Sequence, residues 1–171
     1  MSSMRKFDKR GIEMKDTKEK LSINDEFRFL YIVILHEGDN LAEKDYHENP
    51  EEYKNTLDLW IECIFSINHM IPEIVDTMIH MIDSINKRKS YDKNDVECMY
   101  VHSMFELIMN LPETIDRLSK AIGEKVNDIS IGSRILNGKV YSETNVKLIK
   151  SSTYYDSMAK IHDMYEDDEK K

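Results

Sequence analysis

Glycine, proline and cysteine are scarce in this chain of 171 residues, which contains five, three and two of them. The glycines form neither a Gly-x-Gly-x-x-Gly nor a Gly-x-x-x-x-Gly-Lys pattern, so the loops that cradle phosphate in Rossmann and P-loop proteins are excluded. Two cysteines, Cys63 and Cys98, are too few for a disulfide framework and fit a reducing compartment. Both lie within apolar helical patterns and are expected in the core.

Long apolar runs are also absent. The longest is the mixed stretch from Phe27 to Leu35, which is shorter than the roughly 18 residues needed to cross a bilayer. No apolar segment follows the first basic residues, so we expect no secretory signal and a cytoplasmic location, in a cell or in an infected host. Isoleucine (20), lysine (18) and asparagine (11) outnumber alanine (3) and arginine (6), as in low-GC genomes, including those of many phages and poxviruses.

Charge is unevenly distributed along this acidic chain, whose net charge is −9. Residues 1–20 contain seven bases and four acids and predict a flexible basic arm. Residues 37–58 contain eight acids and two bases, and residues 166–171 form a charged tail. We expect residues 21–165 to form a single helical domain. The net charge disfavours binding to nucleic acid or to an anionic membrane.

A helix-start signal opens this domain. The hydroxyl of Ser22 can accept hydrogen bonds from first-turn amides, and Asp25 lies at the positive end of the helix dipole. The run from Phe27 to Leu35 is apolar on nearly every side, and periodicity alone does not separate a buried helix from a buried strand. The cap favours a helix, with Gly38 as its expected end.

The strongest helix start is Asn49-Pro50, a capping asparagine followed by a proline whose missing N–H is no loss there. A helix over 50–69 with a broad apolar face should follow. Pro72 is expected to begin the next helix, so that residues 50–87 form a helical hairpin.

The same pattern recurs 40 residues later. When residues 57–78 are set over 97–118 without a gap, Pro72 falls on Pro112 and the apolar positions keep their phase. A second hairpin is therefore expected over 92–123. Two similar hairpins packed face to face predict a mostly α fold, a bundle of five or six helices. The alternative is a HEAT-like array, which has a period of about 40 residues but usually needs three repeats.

The segment after Gly123 has a different character. Asn137-Gly138 lies between β-prone residues, which is a strong signal for a two-residue hairpin turn. We expect a short β-hairpin at about 133–143, followed by a last helix over 145–165. Helices followed by a basic hairpin are also typical of winged-helix DNA-binding regulators, which is a third hypothesis of function.

Six residues are candidate ligands for a divalent metal: Glu73, Asp76, His80, Asp83, Glu113 and Asp116. The first four are spaced by three, four and three residues and would share one helix face. Glu113-x-x-Asp116 repeats the pair Glu73-x-x-Asp76. An explanation without metal is that the helix dipole favours acids directly after a helix-starting proline.

These pairs resemble those with which all-helical pyrophosphohydrolases of the MazG and dimeric dUTPase families hold magnesium. The resemblance implies that Glu48-x-x-Glu51 supplies the remaining pair and that the protein is a nucleotide pyrophosphohydrolase with Mg²⁺ or Mn²⁺ as cofactor.

The six histidines show neither a His-Glu-x-x-His pattern nor a Cys-x-x-Cys companion, so the sequence predicts no zinc site.

These absences favour a small interaction or regulatory module without a cofactor, while enzymatic activity stays open through the alternative. We expect a protein partner, in particular a basic nucleic-acid-binding protein attracted by acids that mimic phosphate. The candidate acids are Glu43, Asp45, Glu48, Glu51 and Glu52. A Met-rich helical face is the other candidate surface, formed by Met70, Met78, Met81, Met99, Met104 and Met109. The apolar face of 50–69 predicts a homodimer.

Overall fold

A computed structural model describes residues 22–88, 90–126 and 128–169. These residues form five helices and no strand: α1 (Ile23–Glu43), α2 (Pro50–Asn86), α3 (Val96–Gly123), α4 (Ile129–Lys150) and α5 (Tyr155–Glu169). A helical bundle agrees with the expectation from the sequence, whereas the C-terminal β-hairpin is wrong. The basic arm at 1–20 and the tail residues 170–171 lie outside the described residues.

α1 begins at the predicted cap and continues through the ambiguous apolar run. The side-chain oxygen of Ser22 accepts a hydrogen bond of 3.1 Å from the amide of Asp25. The run from Phe27 to Leu35 is helical, and its inner side is anchored where Trp60 Nε1 of α2 donates to the carbonyl of Ile34 at 2.8 Å. The helix preference at this segment is therefore confirmed.

Gly38 does not end α1, which continues to Glu43. A Cβ at Gly38 would lie 2.8 Å from Leu118 Cδ1 and 3.0 Å from Trp60 Nε1. The missing side chain of Gly38 thus allows α1 to approach α2 and α3 closely. It does not serve to end the helix, as the sequence had suggested.

The predicted hairpin over 50–87 is a single helix. α2 starts as expected, because Asn49 Oδ1 accepts from the amide of Glu52 at 3.2 Å and Pro50 is the first helical residue. With 37 residues it is about 55 Å long. Its apolar face continues without interruption from Tyr53 to Ile85, so one core covers both halves of the expected hairpin.

Pro72 lies inside α2 and was wrongly expected to begin a helix. A proline within a helix leaves the carbonyl four residues earlier without its usual N–H donor. That carbonyl belongs to Asn68, and it accepts a hydrogen bond of 3.2 Å from Asn145 Nδ2 of α4. The neighbouring helix therefore compensates the bond that Pro72 removes.

The second predicted hairpin, 92–123, is likewise one helix, and Pro112 lies inside it. α3 begins at Val96 after the cap Asp95 and runs antiparallel to α2, as the hydrogen bond from Ser84 Oγ to Glu97 Oε1 at 3.3 Å shows. The similarity between 57–78 and 97–118 therefore relates two long antiparallel helices. It does not relate two stacked hairpins, so the HEAT-like alternative is also wrong.

Residues 133–143, the expected β-hairpin, form the middle of α4. Asp128 caps this helix by accepting from the amide of Ser130 at 3.0 Å. Gly138 is buried against α2, where a Cβ would lie 2.5 Å from Ile64 Cγ2. Tertiary packing here overrides the local turn signal, and the winged-helix hypothesis, which needed the hairpin, is not retained.

α1 and α4 each pack against both α2 and α3, which gives an up-down-up-down arrangement of four helices. Residues 151–154 interrupt the expected last helix over 145–165, and α5 then packs on the N-terminal half of α3. Phe27, Ile34, Leu57, Trp60 and Ile64 are among the largest fully buried side chains. None of the described helices is both long and apolar enough to cross a membrane.

Candidate functional site

The outer face of α4 carries apolar side chains where a bundle helix usually presents polar ones. Ile129 is 88% exposed, Leu136 59% and Val140 49%. Spacings of seven and four residues place them in one line along the helix, and we call these three residues the α4 ridge. α4 has one acid, Glu143, and four bases, which are Arg134, Lys139, Lys147 and Lys150. It therefore carries a charge of +3 within an acidic protein.

A pocket of about 240 Å³ lies between α3 and α4, beside the ridge. We call it the α3–α4 pocket. Its apolar lining comprises Ile122, Val126, Ile131, Ile135 and Leu136. This volume is below the roughly 300–1,000 Å³ typical of small-molecule pockets, and it suits a single anchoring side chain of a partner. Leu136 belongs to both the ridge and the pocket.

Two lysines and one carboxylate form the polar end of the α3–α4 pocket. Asp116 Oδ1 accepts from Lys139 Nζ at 2.9 Å, and Asp116 Oδ2 lies 3.1 Å from Lys120 Nζ. The hydrogen bond from Lys139, followed by that from Lys120, lowers the pKa of Asp116, and the bond to Asp116 raises the pKa of Lys139. Lys139 Nζ also lies 3.7 Å from Glu143 Oε1, so a second carboxylate offsets the two lysines beside this end of the pocket.

The predicted metal ligands on α2 share one helix face, but their side chains contact different partners. Asp76 and His80 form an exposed pair one turn apart, with His80 Nδ1 3.8 Å from Asp76 Oδ2. Glu113 is exposed. Asp116 is bound to the two lysines of the α3–α4 pocket.

The other two candidates contact different neighbours. Burial raises the pKa of Tyr100 on α3, while the nearby guanidinium of Arg28 lowers it and the nearby carboxylate of Glu73 raises it, which places Glu73 near Tyr100. Asp83 forms a side-chain hydrogen bond with Tyr154, after the end of α4. Among the described side chains, none of the six candidates belongs to a group of three with ligand atoms within 4.8 Å of one another. Pro72 does not start a helix, so the helix dipole does not explain Glu73 and Asp76 either.

The pyrophosphohydrolase pairs do not face each other. Glu51 and Glu73 lie on one continuous helix, 22 residues and about 33 Å apart. Glu48 precedes that helix. A shared magnesium site would need the first and second pairs on facing helices, so the geometry gives this alternative no support.

The acidic candidates for partner binding are all exposed near the start of α2: Glu43, Asp45, Glu48, Glu51 and Glu52. Some of them also have local structural roles. Asp45 Oδ1 accepts from the amide of His47 at 2.9 Å, and Glu52 Oε2 accepts from Asn49 Nδ2 at 3.0 Å. The set is available to a partner, but its partner-binding role stays a prediction.

The Met-rich face is mostly internal. Met78 and Met104 are fully buried, Met70, Met81 and Met109 pack partly buried against the core, and Met99 is 43% exposed. The apolar face of 50–69, the predicted dimer surface, is buried inside the bundle.

Burial raises the pKa of the Cys63 thiol to about 11 and also that of Cys98, which disfavours a reactive thiolate at either cysteine.

The α4 ridge and the α3–α4 pocket were not found from the sequence. The basic residues of this segment were visible, but assigning it to two strands placed the side chains on the wrong faces. A helical reading with Asp128 as the cap would have aligned Ile129, Leu136 and Val140. No protein-family model, no curated protein and no solved structure matches this chain.

Proposed function

We propose that this protein is a cytoplasmic interaction module that binds an acidic amphipathic helix of a partner protein. The partner helix would lie along the α4 ridge and insert one apolar side chain into the α3–α4 pocket. The observation that carries the proposal is the line of exposed apolar residues beside an apolar pocket whose polar end has two lysines.

Charge complementarity selects the acidic partner. Two of the four bases on α4 are already paired, Arg134 with Asp58 and Lys139 with Asp116 and Glu143, so Lys147 and Lys150 supply the positive charge along α4. A helix with acidic flanks would therefore be attracted to this one face of a protein whose net charge is −9. That same net charge disfavours a nucleic acid or an anionic membrane as the occupant, because most of the surface would repel it.

The size of the ridge sets the expected affinity. Full burial of a Leu, Ile or Val side chain contributes about 1.5–3 kcal/mol, so the three ridge residues, which are 49–88% exposed, together contribute about 3–6 kcal/mol. Micromolar affinity corresponds to about 8 kcal/mol. The difference must come from the side chain in the pocket and from charge pairs, so we expect Leu136, which lies in both features, to be the most sensitive position.

The test uses a designed peptide of about 20 residues, which spans about 30 Å as a helix and so covers Ile129 to Leu148. One version has leucines on one face and glutamates elsewhere, and a matched version has lysines in place of the glutamates. Fluorescence anisotropy should show binding of the acidic peptide, which weakens as salt increases. Leu136→Glu should reduce its affinity by at least tenfold.

Phe29→Glu is the matched control, because Phe29 is 58% exposed on α1, away from the α4 ridge. We expect the affinity of this variant for the acidic peptide to equal that of the wild type. Equal binding of both peptides, or equal loss in both variants, contradicts the proposal. Two further measurements test other occupants of the ridge: binding of the protein to vesicles with anionic lipids, and sedimentation of the protein alone. If the wild type binds vesicles and Leu136→Glu does not, the occupant is a membrane. If the wild type forms a dimer and Leu136→Glu does not, the occupant is a second copy of the chain.

The acidic residues around the start of α2 are a second proposed surface, for a basic protein segment. The observation that favours it is the exposure of all five carboxylates around a cavity of about 190 Å³ that three of them, Asp45, Glu48 and Glu52, line. The basic control peptide should then bind weakly, and Glu48→Lys should abolish that binding while the acidic peptide still binds. Unchanged binding of the basic peptide to Glu48→Lys removes this surface.

A further inference from the structure

α3 and α5 each carry a histidine followed four residues later by a glutamate: His102 and Glu106 on α3, and His162 and Glu166 on α5. The two helices are in contact and antiparallel, since the Phe105 ring lies 6.1 Å from that of Tyr155, and the His102 ring, one turn earlier on α3, lies 4.4 Å from that of Tyr165, ten residues later on α5. This packing places the two histidines opposite each other. The sequence contains the repeated spacing, but the residues are 60 positions apart.

The two imidazole rings meet through their Nδ1 atoms, which are 3.0 Å apart. Glu106 offers a carboxylate oxygen to the same place, because one ligand atom from each of His102, Glu106 and His162 lies within 4.8 Å of the others. Among the described side chains these three residues form the one group that meets this criterion. All three are partly buried.

Aromatic neighbours fix the planes of both rings. The Tyr165 ring lies over His102 with centroids 4.4 Å apart and planes 15° apart, and the Phe105 ring is 5.3 Å from that of His162. Tyr165 is itself held, because its hydroxyl donates to the carbonyl of Lys93 at 2.8 Å. Two rings oriented in this way lose little side-chain freedom when they bind a ligand.

Glu166 faces the far nitrogen of His162. Its Oε1 lies 3.6 Å from His162 Nε2, while the Nδ1 of the same ring points to His102. In metal sites a histidine commonly donates its non-ligating N–H to a carboxylate, which fixes the tautomer that leaves the other nitrogen free to bind. At 3.6 Å Glu166 is a few tenths of an ångström beyond hydrogen-bond distance, so a small side-chain movement would give His162 this arrangement.

We propose that His102, Glu106 and His162 bind one zinc ion, with Glu166 as the positioning carboxylate and water in the fourth position. Tetrahedral Zn²⁺ with bonds of about 2.0–2.1 Å separates two ligand nitrogens by about 3.3 Å, a few tenths of an ångström more than the separation of the two Nδ1 atoms. Two imidazoles and one carboxylate leave one position open, as in zinc sites with three protein ligands.

The protons balance through a change of tautomer. In the metal-free pair one Nδ1 carries the proton that it donates to the other, and His162 keeps its Nε2 proton toward Glu166. Zinc takes the place of the shared Nδ1 proton, and that proton moves to Nε2 of His102, so both rings remain neutral. No proton leaves the site when both histidines are neutral beforehand.

The donor set also separates this site from the magnesium hypothesis. Imidazole nitrogens suit zinc and neighbouring transition metals, whereas Mg²⁺ prefers an all-oxygen octahedron. Zinc should therefore bind in the presence of a large excess of magnesium.

Isothermal titration with ZnCl₂ on the full chain tests the proposal, together with thermal unfolding and the visible absorption of added Co²⁺. We expect one zinc per chain, a rise in melting temperature of about 5–10 °C at a hundredfold excess over the Kd, and tetrahedral cobalt bands. Glu106→Gln and His162→Gln should each abolish the bands. Glu166→Gln should weaken zinc affinity by about 10–100-fold with the stoichiometry unchanged.

His80→Gln is the matched control, because His80 is an exposed histidine with an acid one turn away, Asp76. It should bind zinc like the wild type. The proposal is overturned if the wild type binds no zinc, or if zinc binding is unchanged in both Glu106→Gln and His162→Gln. Glu106→Gln keeps the shape of the side chain. If circular dichroism shows that His162→Gln is unfolded, zinc binding by Glu106→Gln alone decides whether the proposal holds.

Discussion

Two glycines of α4 should respond in opposite ways to the same substitution. Gly132 and Gly138 lie six residues apart in one helix. A Cβ at Gly132 meets no atom within 4 Å, whereas a Cβ at Gly138 lies 2.5 Å from Ile64 Cγ2. Alanine should therefore stabilise the protein at Gly132 and destabilise it at Gly138.

The magnitudes follow from two opposing terms. Alanine is favoured over glycine within a helix by about 1 kcal/mol, which gives Gly132→Ala its full gain. At Gly138 the same gain competes with overpacking of a fitted interface, which costs about 1–3 kcal/mol. The net loss for Gly138→Ala should be about 1 kcal/mol. In a chain of this length, 1 kcal/mol shifts the melting temperature by about 2–4 °C.

Ile64→Ala separates the interface explanation from a local one. It removes Cγ2, and the remaining Cβ would lie at the ordinary contact distance of 3.7 Å from the new methyl group. In this background Gly138→Ala should stabilise by about 1 kcal/mol, the helix-propensity gain alone, so the double-mutant cycle should give a coupling of about 2 kcal/mol. Urea unfolding followed by circular dichroism measures all four proteins. If Gly138→Ala remains destabilising in the Ile64→Ala background, the contact with α2 is not the cause and the reasoning fails.

Two further predictions concern the polar contacts of α4. Asn145→Leu should lower the free energy of unfolding by about 1–3 kcal/mol, because the carbonyl of Asn68 loses its donor. The loss should be smaller in a Pro72→Ala background, where the backbone N–H that normally bonds this carbonyl is restored. Equal losses in both backgrounds, measured by urea unfolding, refute the compensation of Pro72 by Asn145. The pKa of Asp116 is lowered mainly by Lys139, so its contribution to stability is complete above its unfolded pKa of about 3.9 and is lost as the pH falls through the folded value. Asp116→Asn should therefore reduce the fall in the urea midpoint between about pH 5 and pH 2, and an unchanged slope contradicts the assignment.

The starts of α1 and α2 could be predicted because capping is local. Ser22 and Asn49 each bond to an amide three residues later, so the whole interaction lies within four consecutive residues. The same applies to the overall helical class, since the apolar periodicity of α2 and α3 is strong. No contact with a distant residue was needed for these predictions.

The wrong predictions have one physical cause. Gly38, Pro72 and Gly138 are residues that break helices when only their own chain segment is considered. Each lies inside a helix at a contact with another helix. Gly38 packs against Trp60 and Gly138 packs against Ile64. Pro72 leaves the carbonyl of Asn68 without its helical donor, and Asn145 of α4 supplies a donor instead. The sequence alone does not contain the neighbour that makes each residue favourable.

The two candidate sites were missed for related reasons. α4 has apolar residues on both its buried and its exposed side, such as Ile135 and Leu136, so its helical periodicity is weak and the Asn-Gly signal prevailed. The proposed zinc site needs His102 and His162, which only the antiparallel packing of α3 and α5 brings together. The weak periodicity of α4 was thus a consequence of the surface proposed to bind the partner.

A helix with apolar residues on both sides could rotate about its axis and bury the wrong face. In α4 the buried side is specified by polar contacts: Ser142 Oγ donates to Asn68 Oδ1 at 2.7 Å, and Asn68 Nδ2 donates to the carbonyl of Gly138 at 3.0 Å. If α4 rotated about its axis, the side chain of Asn68 would be buried without its partners on α4. A residue larger than Gly138 would also have to pack against Ile64. These contacts therefore keep the α4 ridge on the outside, where the proposed partner helix would bind.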